Sequence, residues 1–65
     1  MKIVRVSIVG VNSRGDRECK VSELLFHDSV KPESIADVVR GHELLLEEEA
    51  RTGGLMQVRS HHRYD

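Results

Sequence analysis

The stretch Pro32–Arg51, PESIADVVRGHELLLEEEAR, decides the fold. Pro32 suits the first position of a helix, where its missing N–H would have no partner. Glu33 puts negative charge in the first turn, where the helix dipole favours it. Ser34 and Asp37 have capping-box spacing, with Asp in place of Glu, and offer a second start two residues later. Arg51 closes the last turn, and Gly53 and Gly54 supply left-handed backbone for a C-cap. At about 100° per residue, Ile35, Val38, Val39, His42, Leu45 and Leu46 fall on one stripe, with Asp37, Arg40, Glu47, Glu48 and Arg51 on the other side. The stripe is expected to be core, with His42 at its edge, and Glu47 with Arg51 is a favourable i,i+4 pair. Gly41 costs about 1 kcal/mol relative to Ala; it reads as a tolerated Gly, a kink, or a point of close backbone approach. Leu44 stands among the charges, as a lone surface leucine or as a contact for a second chain.

Outward from the helix, Lys2–Val11 (KIVRVSIVGV) is a strand of mostly β-branched residues with alternation. Val4, Val6 and Ile8 form one face; Ile3, Arg5, Ser7 and Val9 form a half-polar second face. Asn12–Arg17 is turn chemistry. Cys19–Asp28 reads as a second strand in which Val21 and Leu25 share one parity, Leu24 and Phe26 the other. A bulge near Ser22 or Glu23 would reconcile them. Leu55–Ser60 can add a short third strand with Met56 and Val58 inward, because a lone hairpin with one helix is barely stable. The expected fold is α+β: a small antiparallel sheet with one helix packed on it, order ββα(β). It forms a single domain over residues 1–60, with residues 61–65 as a flexible tail.

A chain of 65 residues has room for only a small core. One cysteine excludes an internal disulfide, and no Cys/His set has structural-zinc spacing. Self-association is the remaining source of stability, so a homodimer is expected. The N-terminus lacks a signal-peptide layout and no apolar run reaches spanning length, which points to a cytoplasmic protein without membrane contact. Charge is uneven. Residues 1–31 carry six basic and four acidic side chains, residues 32–50 one basic and six acidic, and residues 51–65 three basic and one acidic. With one Phe, one Tyr and no Trp, stacking platforms for single-stranded nucleic acid are missing.

The motifs carry little chemistry. Arg14-Gly15-Asp16 matches an adhesion tripeptide, but three common turn residues arise together by chance. Cys19 and His27 lie eight residues apart along one strand, too far for a nucleophile–base pair, and Cys19 reads as a buried structural residue. His61, His62 and Asp65 could hold a transition metal only weakly. A helix-turn-helix would drive Glu47, Glu48 and Glu49 toward phosphates. No catalytic residue, cofactor or metal site is assigned and no enzymatic activity is expected. The function expected is a protein-binding or assembly module of bacterial or phage type. Its partner-binding candidates are Gly41, Leu44, Glu47 and Glu48 on the helix and Arg59, His61, His62 and Arg63 in the tail. The alternative is a nucleic-acid-associated regulator that uses Lys2, Arg5, Arg14, Arg17 and the basic tail.

Overall fold

The computed structural model describes all 65 residues, in the order β1 (Lys2–Val11), β2 (Arg17–Phe26), α1 (Pro32–Thr52), β3 (Met56–Tyr64). The strands form an open antiparallel sheet of order β2-β1-β3, with α1 on one face. This is the ββαβ, α+β arrangement expected from the sequence. β1 sits in the middle because its alternating β-branched residues can serve two partners and one buried face. Val4, Val6 and Ile8 are buried on that face. Val4 and Val6 form the core with Ile35 and Val39, and Leu24, Phe26, Val30 and Leu46 pack against it.

The helix starts at Pro32, behind an extended Lys31 with no side-chain cap, so the second start at Ser34 is not used. It ends in a Schellman motif. The N–H of Leu55 donates to the carbonyl of Ala50 and that of Gly54 to Arg51, both at 3.0 Å, with Gly54 at φ +95°. Gly53, expected to share the left-handed role, has φ −76°. Leu55 then occupies the space left by Gly10: a Cβ on Gly10 would lie 3.0 Å from the Leu55 Cβ.

Several expectations are corrected. β2 begins at Arg17, and its pairing with β1 is unbroken from Lys2↔Phe26 to Val11↔Arg17, so it has no bulge at Ser22 or Glu23. Both parities of β2 are apolar, but only Leu24 and Phe26 turn toward the core and are half-buried, and Val21 and Leu25 on the other face are exposed. Cys19 is exposed rather than core. Val38 and Leu45 are exposed although they belong to the apolar stripe, and so is Met56. β3 continues through the stretch read as a tail, so His61–Tyr64 are strand residues.

The bulge lies in β3 instead. Val9 pairs with Arg59 and Val11 with Met56, so Gln57 and Val58 together stand opposite Gly10. Gln57 has φ +54°, a left-handed conformation that costs a residue with a Cβ roughly 1–2 kcal/mol. At the same end of β1, Asn12 organises the hairpin turn. Its Oδ1 accepts from the N–H groups of Arg14 (2.9 Å) and Asp16 (3.0 Å), so Arg14-Gly15-Asp16 is the turn itself. The Met1 amino group lies 2.6 Å from the Asp28 carboxylate and holds that carboxyl below its usual range, through hydrogen bonding and charge.

Gln57→Gly should raise the unfolding free energy by about 0.5–1 kcal/mol in urea titrations, because glycine adopts the bulge conformation freely. Asp28 ionises at lower pH folded than unfolded. The clasp therefore contributes stability above the ordinary carboxylate range, and that contribution is lost as pH falls through the depressed folded value. An NMR titration should show the Asp28 midpoint moving up when the α-amino group is acetylated.

Candidate functional site

The position of the helix determines which surfaces remain available. α1 packs over β1 and β3, and of β2 only Leu24 and Phe26 reach the core beneath it. On the β3 side a polar clamp holds it. The Ser60 hydroxyl lies 2.8 Å from Glu43 Oε2 and 3.1 Å from Glu47 Oε2, and His62 Nδ1 lies 2.5 Å from Glu43 Oε1. One hydroxyl proton serves two carboxylates whose side chains are only 15% and 19% accessible. Glu47 also meets Arg51 at 3.5 Å, the i,i+4 pair expected from the sequence. Glu47 is therefore turned toward the sheet, not outward as expected. Glu43 and Ser60 were missed in the sequence, where a polar residue beside an apolar stripe looks like surface. The signal was there, with carboxylates four apart on the helix and Ser60 and His62 two apart on the strand. The Ser60 hydroxyl faces carboxylates and not the imidazole, so the group has no nucleophile–base relay.

The β2 flank is the opposite case. From the helix wheel, Val38, His42 and Leu45 face the β2 side of the helix, as Glu43 and Glu47 face the β3 side. Val38 is 51% exposed, Leu45 54%, and on the far face of β2 Val21 is 62% and Leu25 61% exposed. The Nε2 of His42 is buried without a hydrogen-bond partner. The outer edge of β2 runs for 10 residues with no Pro, no Gly and no bulge. A cleft of about 300 Å³ opens between β2 and the end of the helix, lined by Lys20, Ser22, Leu46, Ala50 and Leu55 among others.

The sheet face away from the helix is cationic. The register places Arg63 beside Arg5, His61 beside Ser7 and Arg59 beside Val9, all on that face, with Arg17 opposite Val11. Asp65 engages Arg5 (3.2 Å) and Arg63 (3.8 Å), and Glu23 lies 3.9 Å from Arg5. No carboxylate bridges Arg17 or Arg59.

The tail candidates are thus divided: Arg59, His61 and Arg63 on the open face, His62 on the helix face against Glu43. His61 and His62 point to opposite sides and cannot chelate one ion. Gly41, Leu44 and Glu48 share the outward face of the helix, and a side chain at Gly41 would meet nothing within 4 Å, so no backbone approaches there. His27 Nδ1 accepts from the Ser29 N–H and is engaged in its own turn. No helix is long and apolar enough to cross a membrane. No family model, curated protein or solved structure matches the chain.

Ser60→Ala leaves the Glu43 and Glu47 carboxylates without their shared donor. It should lower the unfolding free energy by about 1–2 kcal/mol in urea titrations at neutral pH.

Proposed function

We propose that the protein is a small non-catalytic assembly module that works as a homodimer, joined along the outer edge of β2. The observation that carries this reading is the β2 flank, where Val21, Leu25, Val38 and Leu45 lie exposed beside an unpaired strand edge that has no Pro, Gly or bulge. The surface area points the same way. The chain exposes 4947 Å², against about 4,200 Å² for a compact monomer of its mass. The excess, about 700 Å², is close to one partner's share of a standard interface. The body is a plank of 44 × 17 × 12 Å.

The two sheet edges differ in how they would receive a second copy. β3 carries Arg59, His61 and Arg63 on one face and a bulge at Gln57, devices that discourage edge pairing. β2 carries Arg17 and Lys20 against Glu18 and Glu23 and is balanced in charge. Antiparallel pairing about a two-fold axis brings the basic start of one β2 toward Glu23 of the other. The product is one six-stranded sheet with both helices on the same side, and the outward face at Gly41, Leu44 and Glu48 stays free for a further protein. A nucleic-acid role has less support, because Arg5 and Arg63 are already engaged and Tyr64 packs edge-on against His62.

Sedimentation of the wild-type chain at micromolar concentration should give a dimer. Val21→Lys and Leu25→Lys should each give a monomer with an unchanged far-UV circular dichroism spectrum. A wild-type monomer would sink the reading. A dimer indifferent to both substitutions would place the interface elsewhere.

A further inference from the structure

We infer that the recess beside the β3 bulge binds a phosphate group carried by a small molecule. The recess lies on the open face of the sheet, with Arg17 at the start of β2 on one rim, and its lining is complete within one chain. Its volume is about 230 Å³, and Arg17, Arg59, His61 and Gln57 line it together with the β1 segment Val9–Val11. The cationic side chains reach it from both neighbours of β1. Arg59 comes from β3 opposite Val9, His61 from β3 opposite Ser7, and Arg17 from β2 opposite Val11.

Three observations point to an anion. First, no carboxylate lines the recess, and neither guanidinium has an ion-pair partner. The acids of this face, Glu23 and Asp65, are drawn to Arg5 and Arg63 at the other end of the strands. Two arginines gathered without a counter-charge repel each other, and a bound anion removes that cost. Second, the recess is built on a bulge whose extra residue, Gln57, is held at φ +54°. Bulges re-aim side chains beside functional sites, and backbone strain of this kind collects there. The strained residue itself lines the recess and presents an amide donor. Third, two guanidinium forks, an imidazole and an amide match the oxygens of a phosphate, which accepts several hydrogen bonds from different directions.

The size of the recess limits the ligand. It is smaller than the pockets of roughly 300–1,000 Å³ that take drug-sized molecules. Its apolar lining is Val9 and Val11, and the only ring is the His61 imidazole. A phosphate or pyrophosphate group fits this size and charge.

The test is a chemical-shift titration of the full chain with inorganic phosphate and with pyrophosphate, at constant ionic strength. Saturable shifts confined to Val9–Val11, Arg17 and Gln57–His61 are expected, tighter for pyrophosphate. Arg17→Gln and Arg59→Gln should each weaken binding about tenfold, the usual cost of one charge-assisted contact, with an otherwise unchanged spectrum. Gln57→Gly, which keeps the bulge, should weaken it less. Absence of saturation at concentrations on the order of 10 mM would overturn the inference. So would equal shifts from perchlorate, which would mean screening alone. Binding of a short single-stranded oligonucleotide without any response to pyrophosphate would overturn it too.

Discussion

A helix is about 10–12 Å across with its side chains, and strands lie about 4.8 Å apart. One helix therefore covers two strands of a sheet well and a third poorly. This chain has three strands and one helix, and the consequences of that mismatch run through the whole molecule. Gly54 turns the chain sharply, and Leu55 settles against Gly10, so α1 and β3 remain neighbours. The hydrogen bonds from Ser60 and His62 to Glu43 and Glu47 then hold the helix on the β1–β3 side. β2 pairs with β1 along its full length but receives little cover.

That asymmetry explains which parts of the fold were legible in the sequence. β1 could be read to the residue, because a buried central strand leaves strict alternation. The helix could be read within one residue, because Pro32 and the Gly53-Gly54 pair mark its ends. β2 misled, because one buried face was assumed for it. Its apolar residues lie on both parities although only Leu24 and Phe26 turn to the core, and an invented bulge at Ser22 or Glu23 was the price of expecting all of them on one face. β3 was read too short for a different reason. Arg59–Tyr64 has no apolar alternation, and it is a strand because the second edge of β1 has N–H and C=O groups that require partners.

The candidate sites followed the same division. Single positions such as Arg59, His61 and Leu44 could be named from the sequence, but not their groupings. Sequence neighbours His61 and His62 face opposite ways, whereas Arg17 and Arg59, far apart in the chain, line one recess, opposite Val11 and Val9 of β1. The acidity of the helix also divides. Glu43 and Glu47 turn in against β3, and Glu48 and Glu49 remain on the exposed surface. Where an apolar stripe could be counted, inward glutamates could not, since only a serine on a distant strand makes them welcome.

The strand order also bears on how the chain is made. β1 leaves the ribosome first, and its second partner, β3, leaves last, after both β2 and the whole of α1. Until then the second edge of β1 has no partner, and α1 lacks the Ser60 and His62 contacts that hold it over Val4 and Val6. The β1–β3 pairs are the most distant in sequence, which slows folding and prolongs the life of exposed strand edges. For a protein of this size, the interval between synthesis of β1 and synthesis of β3 is the period of greatest exposure to aggregation and to holding chaperones.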